Sequence, residues 1–472
     1  MKVLITGATG YIGRRLKHRL LAEKSVHLRL FMKRPQQTQF QDGFEVALGH
    51  TFDIESLHRA LRGIDVAYYL VHSMNSHDYR ERDKQSAHNF LEACIAQGVK
   101  RIVYLGGLGD KISASEHLLS RIEVGEILSS RPDAIQTLWF RAGVIIGSGS
   151  ASFEIIRHLV EKLPFMITPK WVNTLCQPSA QKDVIEYLTQ AALLDEHHSH
   201  VIDIGSEVLS YKELLLGYAH ATGLKRTLIP VPFFSPKLSS YWLTLMTPVP
   251  YSIASALIEG LKSEVLVQNR LATELFPLIK PIPYEEAVQC AIDEIKNEQV
   301  ISRWSDASGD AWETNHSDIA NAMYIDRQVI SLSTQQTPQA VYQTFCSIGG
   351  EKGWFGFEWL WRIRGAIDKL VGGYGLSRGR RDPIHLRVGD SIDFWKVVDL
   401  QENRRLLLFA QMKLPGIAWL EFLVQDGNFY QTAYFYPHGL AGRLYWYALT
   451  PLHFFIFKGM AKSLMKAVKP KE

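Results

Sequence analysis

The sequence predicts an α/β protein: a doubly wound parallel sheet with a small, mostly helical lobe, followed by a separate α+β domain. Three observations predict it. In the first half, short apolar runs alternate with helical segments, as strands do when helices cross back over one sheet. A glycine-rich turn, Gly7-Ala8-Thr9-Gly10-Tyr11-Ile12-Gly13, stands between the first apolar run and the first helical one. Beyond a polar stretch at 302–318, the pattern changes to antiparallel strand signals closed by one long helical segment.

The elements follow in order. Val3–Thr6 is a short apolar strand, and Tyr11 to Leu21 reads as the helix after the turn. Val26–Met32 is the second strand. Glu55–Leu61 is helical, with Asp53 placed to cap its free N–H groups. Asp65–Val71 is a strand, Arg82–Gln97 a helix and Val99–Leu105 a strand, with later strands at Ala134–Phe140 and Val201–Ile204. Residues 205–300 read as the helical lobe, with Ser210–Thr222 and Tyr251–Phe276 its clearest helices. The polar stretch is the best boundary. It gives a first domain at 1–301, a linker at 302–317 and a second domain at 318–472. There, Ile325–Ser333 is strand-like and Thr337–Phe345 is a helix with a Thr337 cap and Pro338 at its first position. Leu386–Val398, Leu406–Lys413, Ala418–Gln425 and Phe429–Tyr436 read as antiparallel strands, and Ala441–Val468 as the closing helix.

Composition bounds the function classes. Of 472 residues, 46% are hydrophobic and 21% charged, enough for real cores. A net charge of +4 is too mild to argue for nucleic acid. Cys94, Cys176, Cys290 and Cys346 form no CxxC, which argues against a disulfide framework or cysteine-rich zinc site and suits a reducing cytoplasm. Residues 238–258 and 444–457 lack Asp, Glu, Lys and Arg. Prolines interrupt the first and the second is too short, so neither is expected to span a membrane. The cluster Asp195-Glu196-His197-His198-Ser199-His200 reads as a solvated loop, and no metal site is expected.

The glycine turn is the sharpest signal. Its glycines allow close backbone approach to a pyrophosphate, and the helix start offers free N–H groups with the positive dipole end. The second strand ends Met32-Lys33-Arg34-Pro35, with no acid to hold ribose hydroxyls. Lys33 or Arg34 would hold a 2′-phosphate instead, which favours NADP over NAD. The alternative is that both cations are simply solvated.

These residues resemble the short-chain dehydrogenase/reductase superfamily, specifically its atypical branch. GATGYIG, GHTFDIESLHRAL, VAYYLVHSM and NFLEACIAQGVKRIVYLGGLG carry the likeness over residues 1–110, and RAGVIIGSGSASFEIIRHLV and WVNTLCQPSAQKDVIEYL extend it. The whole chain is similar to the bacterial YbjT-like group, which joins an NAD(P)-binding Rossmann domain to a C-terminal domain of unknown function. That part rests on GWFGFEWLWRIRGAIDKLVGGYGLSRGRRDP, VGDSIDFWKV and GLAGRLYWYALTPLHFFIFKGMAKSL. The resemblance implies cofactor contacts at Gly7, Thr9, Gly10, Tyr11, Ile12 and Gly13. It places Val71, His72 and Ser73 beside the nicotinamide ribose.

The superfamily's Ser and Tyr-x-x-x-Lys are absent. Gly106 and Gly107 occupy the serine region, and the nearest match to the Tyr/Lys pair is His117 and Arg121. An i,i+4 pair shares one helix face. His117 suits acid–base work near neutral pH, whereas Arg121 can hold an anion or ribose but cannot act as a base.

The second domain is similar by analogy to a helix-grip fold of the START or polyketide-cyclase type. Its strand aromatics, among them Phe394, Trp395, Trp419, Phe422 and Tyr434, either line an apolar ligand cavity or fill a core. The last helix carries aromatics, then Lys458, Lys462, Lys466 and Lys469. It is either a core helix or a peripheral membrane contact. The chain is thus expected to be an NADP(H)-dependent oxidoreductase acting on a small-molecule or lipid-like substrate. The competing expectation is a non-catalytic nucleotide-binding regulator.

Overall fold

The computed structural model describes residues 1–33, 43–72, 79–111, 114–231, 255, 259–260, 263–297, 300–302, 322–370, 373, 375–378, 380–382 and 385–468. Arg34, Ser73, most of 238–262 and all but the first residue of the expected linker lie outside them. The chain divides into two compact units, the described residues through Ser302 in the first and those from Ala322 onward in the second.

The first unit is built on a seven-stranded sheet. Its strands are β1 (Lys2–Thr6), β2 (His27–Met32), β3 (Phe44–Leu48), β4 (Val66–Tyr69), β5 (Arg101–Gly107), β6 (Gln136–Ala142) and β7 (His200–Ile204). The spatial order is β7-β6-β5-β4-β1-β2-β3, with every pairing parallel. The order reverses between β1 and β4, where such sheets open a crevice at their carboxyl ends. Helices α1 (Tyr11–Leu20), α2 (Ile54–Leu61), α3 (Tyr79–Ala96), α4 (Glu116–Leu128), α5 (Ala151–Lys162) and α6 (Gln181–Leu193) alternate with the strands. Apolar residues bury against both sheet faces, around Val3, Ile5 and Phe140 on one and Leu4, Tyr69 and Phe90 on the other. Asp53 caps α2 as expected, accepting from the Ser56 N–H.

The lobe contains α7 (Tyr211–Ala221), α8 (Leu271–Leu275) and α9 (Tyr284–Lys296). Ser210 and Glu213 form a reciprocal capping box at the start of α7. The expected helix Tyr251–Phe276 is corrected in its second half: 263–270 is not helical, whereas Leu271–Leu275 is, as are Ser255, Glu259 and Gly260 among the described residues before it. Buried polar partners capture this segment's backbone instead. Val265 N–H donates to the Leu175 carbonyl, Val267 N–H to the Gln177 side chain (2.7 Å) and Gln268 N–H to Asp203 (2.9 Å). Ser302 is fully buried, and its hydroxyl donates to the Tyr11 carbonyl.

The second unit is an antiparallel sheet with a long closing helix, a helix-grip-like arrangement. Its strands are β8 (Tyr324–Ser331), β9 (Ser391–Ile392), β10 (Trp395–Gln401), β11 (Arg405–Ala410), β12 (Gly416–Gln425) and β13 (Asn428–Pro437), in the order β8-β13-β12-β11-β10-β9. Its helices are α10 (Pro338–Cys346), α11 (Glu358–Leu370) and α12 (Gly439–Ala467). The expected strand Leu386–Val398 is broken. Asp390 takes the Arg387 N–H and pairs with buried Arg381, and Asp393 turns the chain at φ 52°. The strand aromatics fill the core. Trp354 lies parallel to Phe394, ring centres 6.3 Å apart, and Phe345 stacks on Phe422 and Phe429.

Candidate functional site

The site begins where β1 delivers the chain into the glycine turn. Gly7 has φ 66°, and a Cβ there would lie 2.4 Å from the Leu70 carbonyl oxygen. Gly13 sits in the first turn of α1, and its Cβ would lie 2.2 Å from the Gly7 oxygen. Both positions exclude a side chain, so backbone packs directly on backbone. The Gly10 N–H closes the turn onto the Gly7 carbonyl (2.9 Å). The first turn of α1 has no side-chain cap and no acid, so its N–H groups and dipole remain open to an anion. This cradle fits a dinucleotide pyrophosphate.

The flanking side chains brace the turn. Arg14 Nε donates to the Thr9 carbonyl (2.8 Å). Ile12 packs on the sheet core. The Tyr11 hydroxyl donates to the Ser148 carbonyl (3.2 Å), and burial pushes its phenol pKa up. Tyr11 therefore offers its backbone to a ligand, while its ring ties the turn to the loop after β6. Buried Arg15 completes that tie, donating to Gln181, Glu294 and Ser148.

Lys33 is exposed just past β2. Thr6 pairs with Phe31 in register, so Lys33 and the glycine turn share one sheet edge.

The other half of the site forms between β4 and α4. Val71 and His72 follow β4 directly. His72 Nδ1 lies 3.1 Å from Asp83 Oδ2, and His72 Nε2 lies 3.2 Å from His117 Nδ1. Ser120 Oγ also donates to Asp83 Oδ2 (3.2 Å). A carboxylate only accepts, so Nδ1 of His72 carries the proton and its Nε2 accepts from His117 Nδ1–H. That leaves Nε2 of His117 with a lone pair, in the first turn of α4. Arg121 turns elsewhere: its Nη2 donates to the Leu105 carbonyl at the end of β5 (2.8 Å).

Two observations explain the missing serine. A Cβ at Gly107 would lie 2.5 Å from Leu118 Cδ1, and one at Gly106 would lie 2.5 Å from Trp139 Nε1. Leu118 and Trp139 occupy the space a side chain would need. Asp83 was not among the sequence candidates. Its signal was an acid on the face of α3 that also carries Ser86, Ala87, Phe90 and Cys94, all buried.

Burial holds both imidazoles in the neutral form. It lowers the His72 pKa against the pull of Asp83, and it lowers that of His117 well below the usual value, helped by His72 and Arg121. A histidine with a depressed folded pKa stabilises the fold above its unfolded value of about 6.5. That stability is lost as pH falls through the folded pKa. The melting temperature should therefore drop as pH falls below about 6.5. Circular-dichroism melts of His117→Gln should show a flatter dependence, and an unchanged slope would rule His117 out as a source.

In the Asp195–His200 loop, Glu196 accepts the His197 and His198 N–H groups, which hold its carboxyl at about 2.

Residues 7–134 match the family described as NAD(P)H-binding, and residues 319–460 match the family described as "Protein of unknown function (DUF2867)". A (4-alkanoyl-5-oxo-2,5-dihydrofuran-3-yl)methyl phosphate reductase of Streptomyces griseus is 33% identical over 120 residues. The match covers 25% of this chain and only 39% of that reductase. Among solved structures, the Citrobacter sp. triphenylmethane reductase complexed with NADP(H) superposes with a TM-score of 0.51 at 18% identity, covering 62% of this chain and 100% of that one. A nucleoside-diphosphate-sugar epimerase from Staphylococcus aureus gives a TM-score of 0.50 at 16% identity, covering 61% of this chain and 100% of that one. At these identities the likeness shows the fold alone. The first unit thus has a Rossmann-type fold whose residues 7–134 match an NAD(P)H-binding family, and residues 319–460 match a family of unknown function.

Proposed function

We propose that this chain is an NADP(H)-dependent oxidoreductase of the atypical short-chain dehydrogenase/reductase type, acting in the cytoplasm on a small or apolar substrate. The observation that carries the reading is the Asp83–His72–His117 chain at the carboxyl edge of the sheet. When bound, the nicotinamide cofactor supplies or accepts the hydride. The turn Gly7–Gly13 holds the pyrophosphate on backbone N–H groups. Lys33, with Arg34, holds the 2′-phosphate. In substrate oxidation, Nε2 of His117 takes the proton released by the substrate hydroxyl as the carbon gives up its hydride; in reduction, the same nitrogen first takes a proton from solvent and then delivers it to the substrate oxygen. As His117 gains that proton, its Nδ1–H leans on His72, and Asp83 balances the charge through His72 Nδ1–H. Arg121 keeps α4 registered on β5 and so positions His117. Reductases appear among both the sequence and the structural relatives, and one is complexed with NADP(H).

The competing reading, a nucleotide-binding regulator without turnover, draws on Leu118 and Trp139 filling the serine position. The two readings differ only in turnover. The first experiment is calorimetric titration of nucleotide-free protein with NADPH and NADH. NADPH should bind more tightly, and Lys33→Ala should weaken NADPH by about 10-fold while leaving NADH unchanged. Equal binding of both would remove the phosphate role from Lys33. Binding without oxidation of NADPH by any carbonyl, enone or quinone would favour the regulator.

A further inference from the structure

The long closing helix is used by the core over only part of its length. Ile456, Phe457, Met460, Ala461, Leu464 and Met465 lie in the hydrophobic core of the second unit. Before them, buried Trp446 stacks on Tyr324 and Phe435. Around that anchor the helix is apolar and outward-facing. Leu440 is 73% exposed, Leu444 61%, Tyr447 64%, Phe454 46% and Phe455 66%. Spacings of four, three and seven residues put most of these on one stripe.

Helix α11 repeats the pattern. Trp359, Ile363, Ile367 and Leu370 recur at helical spacing and are 48–76% exposed. The two helices are neighbours: the Phe357 ring abuts Gly459, and Arg364 interacts with the Tyr445 hydroxyl. Ile363 and Leu444, one residue before each partner in that contact, are both exposed. Two adjacent helices exposing large apolar side chains exceed the scattered exposure normal for a surface.

Charge decides the occupant. Helix α12 has no Asp or Glu, and its Arg443, Lys458, Lys462 and Lys466 are all exposed. Helix α11 exposes Arg362, while its two acids are engaged. Glu358 accepts the Trp354 N–H, and fully buried Asp368 accepts from the Gly375 and Lys413 N–H groups. Among the described residues, these helices therefore present aromatics and cations with no fully exposed carboxylate. No helix of the described residues is long and apolar enough to cross a membrane.

We propose that α11 and α12 form a peripheral docking face for an anionic lipid surface, with the aromatic stripe entering the headgroup boundary and Arg443, Lys458, Lys462 and Lys466 engaging lipid phosphates. Large aromatics insert at this depth, and each cation adds attraction to an anionic leaflet that salt screens. The test is co-sedimentation of the full chain with vesicles of phosphatidylcholine alone or mixed with phosphatidylglycerol. Binding is expected to the mixed vesicles at low salt, to weaken at high salt, and to be slight on neutral vesicles. The triple variant Lys458→Glu, Lys462→Glu, Lys466→Glu should bind on the order of 100-fold more weakly. Phe455→Ser should bind less at any salt. All four side chains are exposed, so unchanged circular dichroism would certify the fold. Failure to bind mixed vesicles, or equal binding by the triple variant, would overturn the proposal. A dimer by light scattering that Phe455→Ser dissociates would also overturn it, assigning the face to a second copy of the chain.

Discussion

Gly13→Ala is expected to weaken nucleotide binding by more than about 100-fold and to cost roughly 1–3 kcal/mol of stability. The added methyl would lie 2.2 Å from the Gly7 oxygen and 2.9 Å from the Ala8 Cα. These are backbone atoms of the turn and cannot swing aside as a flexible side chain would. The helix must move off the strand, which displaces the N–H groups that would receive the pyrophosphate. Gly63→Ala is the control. Gly63 also has a positive φ, 71°, but a Cβ there meets nothing within 4 Å. It should show backbone strain of about 1 kcal/mol and unchanged affinity. Calorimetric titration and thermal melts of the two variants read both quantities. Near-native affinity in Gly13→Ala would mean that the cofactor does not use this turn.

His117→Gln is expected to lower kcat by about 100- to 10,000-fold on a confirmed substrate, with nucleotide affinity little changed. Glutamine retains a donor toward His72 Nε2 and removes the titrating nitrogen. Asp83→Asn should lower kcat less and shift the pH profile, because it acts through His72 rather than on substrate. Stopped-flow measurement of NADPH oxidation across pH separates these effects. Unchanged turnover in His117→Gln would move the acid–base role to another group. Loss of nucleotide binding together with turnover would mark His117 as a binding residue.

How much of the site was legible depends on how local its logic is. The glycine turn was legible because its constraint is steric and contained in seven residues between a strand and a helix. Asp53 and Thr337 were legible as caps for the same reason, and each accepts the N–H three residues on. His117 and Arg121 were recognised as a pair on one face of α4. Their divergence was not legible, because Arg121 is drawn off by the Leu105 carbonyl of a strand that precedes it in sequence. Asp83 was missed because its meaning comes from His72 and Ser120, which two other segments bring to it. Residues 263–270 were expected as part of the helix Tyr251–Phe276, but Gln177 and Asp203 take the Val267 and Gln268 N–H groups.

By itself, the sequence determined the alternation of strands and helices, the glycine turn, the change of architecture after the polar stretch and the basic, aromatic closing helix. Each follows from periodicity or from steric rules that act over a few residues. The tertiary structure alone decided that strand aromatics fill a core, that Leu118 and Trp139 occupy the serine position, and that His72 stands between Asp83 and His117. It also decided which half of the closing helix is buried. These outcomes depend on which distant segments meet, and burial then sets what the meeting groups can do: two imidazoles stay neutral, and, among the described residues, an apolar stripe of the closing helix faces outward.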